Sequence, residues 1–168
     1  MNYAEQLAEV HSRANTDHIA NAIGNDPKEF KKIIQLIYTA EAPIPQRASW
    51  LLMVIARKHP ELIKPYVVKL TDTIRDFKID GIKRHILFAL ATQQIPEKQE
   101  GKTVDFCFEF ILSPDAPVAV KVFSMEILSN LIKKYPDLKN ELKAAIEDQL
   151  PKTTAAFHAR ARRILKIL

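Results

Sequence analysis

Four basic residues recur at nearly constant spacing along the chain. Arg47, Arg84 and Lys121 are each 37 residues apart, and Arg160 follows 39 residues after Lys121. If the chain repeats one helical unit at this spacing, equivalent positions line up at about 10 Å, the usual distance between packed helices. A row of cations at that distance can bind a phosphate backbone or an acidic peptide. The row is therefore the first candidate binding site.

The C-terminal stretch HARARRILKIL is the second candidate site. Arg160, Arg162, Arg163 and Lys166 alternate there with apolar residues. A basic amphipathic helix can bind nucleic acid or an anionic membrane surface. We favour the alternative of a closing helix whose apolar stripe packs inward while its charges face water. The apolar end, Ile164 to Leu168, is also a place where a second copy of the chain could dock and form a homo-oligomer.

Trp50 is the only tryptophan, and it lies three residues after Arg47. An aromatic side chain beside a cation is a common anchor in binding surfaces. Packing in the core is the alternative that we favour. If the second helices line the concave surface of a repeat protein, the candidate binding residues on it are Arg47, Trp50, Arg84, Lys121, Arg160, Arg162 and Arg163.

Motifs of catalysis and metal binding are absent from the sequence. The five histidines are scattered, and no two have the spacing of a zinc site. There is no glycine-rich phosphate loop, nucleophile elbow or kinase motif. We therefore expect a non-enzymatic protein without cofactor or metal, in which Cys107, within DFCFEFIL, is a buried thiol.

The composition is that of one soluble domain. The chain has 168 residues, of which 47% are hydrophobic and 27% charged. No apolar run is long enough to span a membrane, and the start, MNYAEQLAEVHSR, lacks the pattern of a secretory signal. With a single cysteine, these features predict a reducing cytoplasm. Residues 1–150 carry 20 basic and 20 acidic residues, so the net charge of +5 belongs to residues 151–168.

Helical periodicity runs through nearly the whole chain, and strand alternation is absent. Two short helices, over residues 3–12 and 16–23, form a predicted N-terminal cap over residues 1–25, with a break at Arg13-Ala14-Asn15 between them and Gly24 closing the second. The Asp26-Pro27-Lys28-Glu29 stretch predicts a strong helix start. The further helices are predicted over residues 27–40, 46–58, 60–75 with a bend at Pro65, 80–93, two between Pro96 and Pro136, and a final pair starting at Pro136 and Thr153.

Two stretches of the chain are near copies of each other. EAPIPQRASWLLMVIARKHPEL, from Glu41, and DAPVAVKVFSMEILSNLIKKYPDL, from Asp115, share an acid, Ala-Pro, a basic residue, a long apolar block and a Pro-acid-Leu ending. Similar blocks, HILFALA and ARRILKIL, follow Arg84 and Arg160. Helix pairs that repeat at this spacing bury their apolar faces by stacking on one another. We therefore predict an all-α, right-handed α-solenoid of about four helix pairs over residues 26–168.

The repeats resemble the HEAT repeat family. The stretch LIKPYVVKL looks like the proline-bent first helix of such a repeat, and Asp115, Val120 and Lys121 match the acid, valine and basic residue that open its second helix. Glu41 and Arg47 keep the same spacing without the valine. The other two repeats depart from the pattern, with the acid displaced to Asp80 in one and replaced by Thr154 in the other.

The resemblance implies a scaffold or protein-binding module. It also implies a structural role for the basic row, because in the family this residue commonly pairs with the acid of its own or the adjacent repeat. Glu41, Asp80 and Asp115 would then be the partners, and Arg160, which lacks its acid, would be free. A more distant similarity is to the HEAT-like DNA alkylation repair glycosylases, although no catalytic acid can be matched. A nucleic-acid-binding protein, with the basic C-terminal helix as its contact, is therefore the alternative function.

Overall fold

The computed structural model describes residues 2–168, and all regular structure among them is helical. Met1, where the predicted cap begins, lies outside the described residues. The helices are α1 (Tyr3–Glu9), α2 (Arg13–Ile23), α3 (Pro27–Thr39), α4 (Ile44–Lys58), α5 (Val67–Thr73), α6 (Asp80–Ala91), α7 (Glu97–Leu112), α8 (Val118–Leu131), α9 (Leu138–Gln149) and α10 (Ala155–Leu165).

The start of α3 is built as its sequence predicts. The Asp26 carboxylate accepts hydrogen bonds from the backbone N–H groups of Lys28 and Glu29, which no helical carbonyl can reach. Glu29 itself does not reach back to the cap. Its carboxylate instead accepts a 2.6 Å hydrogen bond from the Tyr3 hydroxyl, and this bond links α3 to α1.

The opening helices differ from their predicted bounds, and α1 ends at Glu9 instead of residue 12. Arg13-Ala14-Asn15 reads as a break in the sequence, yet these residues form the first turn of α2. Ser12 caps that helix by accepting from the Asn15 backbone N–H at 3.1 Å. Gly24 ends α2 with a φ of +54°, a conformation that side chains disfavour.

The predicted bent helix over residues 60–75 is broken rather than bent. Short 3-10 turns, Pro60–Leu62 and Lys64–Tyr66, precede α5, and a third, Ile74–Asp76, follows it. In these turns the Ile63 and Tyr66 N–H groups bond carbonyls only three residues back. Pro60 and Pro65 explain the break, because proline has no N–H to donate and obstructs the preceding helical turn.

The even-numbered helices pack side by side in chain order. From α2 onward, each packs against the next, ending with α8 against α10. The odd-numbered helices form a second row in which α5 packs on α7 and α7 on α9. We call α4, α6, α8 and α10 the second helices and α3, α5, α7 and α9 the first helices. One continuous apolar cluster fills the space between the rows, with Phe30, Phe106 and Phe157 fully buried.

Distant hydrogen bonds are confined to a narrow range of separations. Among residues 2–168, the side-chain hydrogen bonds that span more than nine residues all join residues 26 to 40 apart. Each of these bonds therefore joins helices or turns that are close neighbours along the chain.

Candidate functional site

The charges of the chain are sorted by helix row. The second helices carry nine basic residues and two acids, a net charge of +7. The first helices carry eight basic residues and nine acids, a net charge of −1. The equal numbers of basic and acidic residues over residues 1–150 hide this difference in charge between the two rows, because first and second helices alternate along the chain. The positive side of the molecule is therefore the surface of the second helices.

Arg47, at the start of α4, binds the end of α1. Its Nη1 atom donates to the carbonyl oxygens of Leu7 at 2.6 Å and Ala8 at 2.9 Å. Carbonyls at a helix C-terminus lack helical donors and attract cations, so this contact attaches α1 to α4. Arg47 does not pair with Glu41 among the described ion pairs, contrary to the expected ladder of charges.

Arg84 is exposed, but its guanidinium is anchored on a buried histidine. Arg84 Nη2 lies 3.0 Å from His85 Nε2, and His85 Nδ1 lies 2.8 Å from the Ser49 hydroxyl of α4. Because arginine only donates, Nε2 accepts and the His85 proton is on Nδ1. Burial, together with the Arg84 charge, lowers the pKa of His85 to about 4. The Asp80 carboxylate approaches a different cation, Lys83, at 3.7 Å.

Lys121 lies inside the protein instead of on a surface. Only 4% of the residue is exposed, and its Nζ atom donates to the Gln149 side-chain oxygen of α9. Burial lowers the pKa of this ammonium, because water no longer stabilises its charge. The predicted pairing with Asp115 is absent from the described contacts, and Lys121 cannot line a binding surface.

The three arginines of α10 have different environments. Arg160, expected to be free, forms an ion pair with Glu126 of α8. Arg162 and Arg163 are exposed, and neither belongs to an ion pair within residues 2–168. The expectation that Arg160 is free was wrong, because its partner Glu126 lies on the neighbouring second helix, 34 residues away, and not in the loop before α10.

Trp50 is half-buried beside the linker that joins α1 to α2. Its ring meets the His11 ring edge-to-face, with the centroids 5.3 Å apart and the planes at 67°. Only part of the indole therefore faces water. Trp50, the candidate binding anchor, therefore forms part of the contact that holds α1 and α2 on α4.

An aromatic pair on α6 and α8 was missed in the sequence. Phe88 and Phe123 are half-buried, with ring centroids 5.3 Å apart and planes at 85°. The Arg57 guanidinium of α4 covers Phe88 at 4.8 Å from the ring centroid. The two phenylalanines are 35 residues apart, close to the repeat length, and this spacing was the available signal.

A groove of about 510 Å³ continues this aromatic surface between α8 and α10. Apolar side chains form its floor, and two arginines border it. We call it the α8–α10 groove, and it is lined by Val118, Ala119, Val122, Phe123, Thr154, Ala156, Ala159, Arg160 and Arg163.

The remaining chemical groups serve the structure. Cys107 is fully buried, as predicted, and burial raises the pKa of its thiol, which disfavours the reactive thiolate. Glu100 is 7% exposed and accepts from Tyr135 Oη at 2.5 Å and Lys134 Nζ at 2.9 Å. These bonds lower the pKa of its carboxyl and tie α7 to the turn after α8.

Residues 2–168 contain neither a cluster of metal-ligating side chains nor a helix that could span a membrane. Within residues 2–168, His, Cys, Asp and Glu side chains form no group of three that could hold a metal ion. No helix in this range has both the length and the apolar character needed to span a bilayer. At the C-terminal end, Ile164 is 4% exposed and Ile167 is 63% exposed, so Ile167 accounts for most of the apolar surface there.

The two rows of helices, packed in chain order, have the arrangement of a helical repeat protein. A family model of the HEAT repeat domain matches residues 3–168, and the chain therefore belongs to this family. The match includes α1 and α2, which the sequence pattern alone had left outside the repeats. Neither a curated protein nor a solved structure matches the chain.

Proposed function

We propose that residues 1–168 form a single domain, a right-handed α-solenoid of four helix pairs over residues 26–168 with residues 1–25 as its N-terminal cap. The narrow range of hydrogen-bond separations supports an open stack, because a closed bundle would also join residues far apart in the chain. The position of α2 beside α4 indicates that the cap extends the row of second helices.

We infer that this solenoid is a non-enzymatic module that binds another protein through the surface of its second helices. The observation that carries the proposal is the Phe88–Phe123 pair, half-exposed on a folded surface and continuous with the α8–α10 groove. Aromatic side chains contribute large contact areas and are enriched in protein interfaces. The cations around them favour a partner with carboxylates.

The test is affinity capture with two matched variants. Arg57→Glu/Ala159→Gln changes two exposed positions of the second helices, and Lys98→Glu/Ala144→Gln makes similar changes on the first helices. We expect proteins captured by the wild type to be retained by the first-helix variant and lost by the second-helix variant. Capture of the same proteins by both variants would show that the binding surface lies elsewhere. Circular dichroism melts would verify that both variants fold.

The charge of the second helices favours nucleic acid as a second candidate partner. Apart from the buried Lys121, the second helices carry eight basic residues against two acids, the kind of excess that phosphate backbones select. The likeness to alkylation repair glycosylases stays a prediction. Binding to a DNA duplex should weaken steeply as salt rises, and no mobility shift at low salt would exclude this candidate.

We also propose a cytoplasmic location, supported by the buried, unpaired Cys107. Immunofluorescence of the endogenous protein tests this. The predicted homo-oligomer would use the exposed Ile167 at the C-terminal end. Sedimentation of Ile167→Lys beside the wild type tests that contact, because a dimer held there should dissociate.

A further inference from the structure

We propose that the α8–α10 groove binds an acidic amphipathic helix of a partner protein. The proposal rests on the protein-binding function inferred above and names the partner's chemistry and the place where it docks. Two features carry it, the apolar floor of the groove and the unequal pairing of the two arginines at its border.

The floor of the groove suits the apolar side of a helix. Val122 and Phe123 are half-buried, and Ala119, Ala156 and Ala159 leave little side-chain bulk between α8 and α10. Small residues let a third helix approach closely, and its apolar residues at positions i, i+3 and i+4 could enter the groove. The volume of about 510 Å³ lies within the range of ligand-binding pockets.

The border of the groove supplies a specific positive charge. Arg160 is already paired with Glu126, whereas Arg163 is exposed and belongs to no ion pair among residues 2–168. A carboxylate on the partner helix would complete the pairing of Arg163, and a lysine at that position would be repelled. Charge complementarity therefore selects an acidic helix over a basic one.

The geometry of the aromatic rings favours a protein over a nucleic acid. Single-stranded nucleic acid binds by stacking its bases on open aromatic faces. Here Phe88 is covered by Arg57 at 4.8 Å and meets the Phe123 ring almost at a right angle. Aliphatic side chains need no open aromatic face, so they can pack against this pair.

The test selects phage-displayed random peptides of about 16 residues on the immobilised full chain. Selected peptides are then measured by fluorescence anisotropy against the wild type and two pairs of variants. Ala159→Gln fills the groove, and Ala144→Gln makes the same change on α9. Arg163→Glu reverses the charge at the border, and Arg162→Glu makes the same change on the same helix outside the groove.

We expect the selected peptides to have an apolar face and net negative charge. Ala159→Gln and Arg163→Glu should each weaken binding at least about tenfold, and their matched controls less than about twofold. The proposal is overturned if no selected peptide depends on Ala159. It is also overturned if the groove-dependent peptides are neutral or basic, or if Arg162→Glu weakens binding as much as Arg163→Glu.

Two further measurements identify other occupants of the groove. A labelled DNA duplex whose binding is lost in Ala159→Gln would assign the groove to nucleic acid. Sedimentation showing a dimer in the wild type and a monomer in Ala159→Gln would assign it to a second copy of the chain. Either result overturns the proposal. If the groove fails but affinity capture still depends on the second helices, the protein-binding function stands and only this inference is lost.

Discussion

The buried His85 should make the stability of the protein depend on pH. His85 is 3% exposed, donates from Nδ1 to Ser49 and accepts from Arg84, so the folded protein holds it neutral. Its pKa is lowered from 6.5 to about 4. The unfolded chain therefore binds a proton below about pH 6.5 that the folded chain excludes, and stability should fall as the pH decreases from there to about 4.

The size of the effect follows from the shift in pKa. One pKa unit corresponds to about 1.4 kcal/mol, so the contribution of His85 to the free energy of unfolding should decrease by about 2 kcal/mol by pH 5. The full loss near pH 4 should be about 3 kcal/mol. Above about pH 7 this group should add no pH dependence to the stability.

The assay is urea unfolding of the wild type and His85→Gln between about pH 8 and pH 4.5. The other titrating groups are common to both proteins, so the difference in unfolding free energy isolates His85. We expect the wild type to be the more stable at high pH and its advantage to shrink by about 2 kcal/mol at pH 5. A difference that stays constant over the range would refute the assignment of a neutral, buried imidazole.

Three substitutions test other parts of the structure. Gly101→Ala in α7 should raise the free energy of unfolding by about 0.5–1 kcal/mol in urea, because a Cβ there meets nothing within 4 Å; a destabilised variant would contradict this. Lys121→Met should stay within about 1 kcal/mol of the wild type in the same assay, since it removes a buried charge and one bond to Gln149; a loss above about 3 kcal/mol would contradict it. Trp50→Ala should lower the melting temperature by several degrees, because the ring packs against His11; unchanged melting with lost partner capture would instead make Trp50 a binding anchor.

Local signals in the sequence predicted the helices well. Asp26 caps α3 as expected, because a cap depends only on residues within one turn. Where several local signals compete, prediction was weaker. Pro60 and Pro65 replaced the first part of a predicted helix with short 3-10 turns before α5. The Ser12 cap starts α2 at Arg13, within the stretch that had been predicted as a break.

The partners of Arg47, Lys121 and Arg160 could not be predicted, because they lie on neighbouring helices. Arg47 bonds backbone carbonyls of α1, Lys121 bonds an amide of α9, and Arg160 pairs with Glu126 of α8. Each of these partners is 28 to 40 residues away. Repeat spacing shows which units are neighbours, but a hydrogen bond requires atoms to meet within about 3 Å. A shared position in the repeat therefore gave four basic residues four different environments.

The charge polarity follows from how the two rows are buried. The second helices lie between neighbours and are apolar over most of their surface, and nine of their eleven charged residues are arginine or lysine. Long basic side chains suit this role because their aliphatic stems cover apolar surface while their charges reach water, as Arg57 covers Phe88. On the first helices, acids and lysines alternate and offset one another. This combination of cations and partly exposed aromatic rings is the basis of the proposed selectivity for a partner that is apolar and acidic.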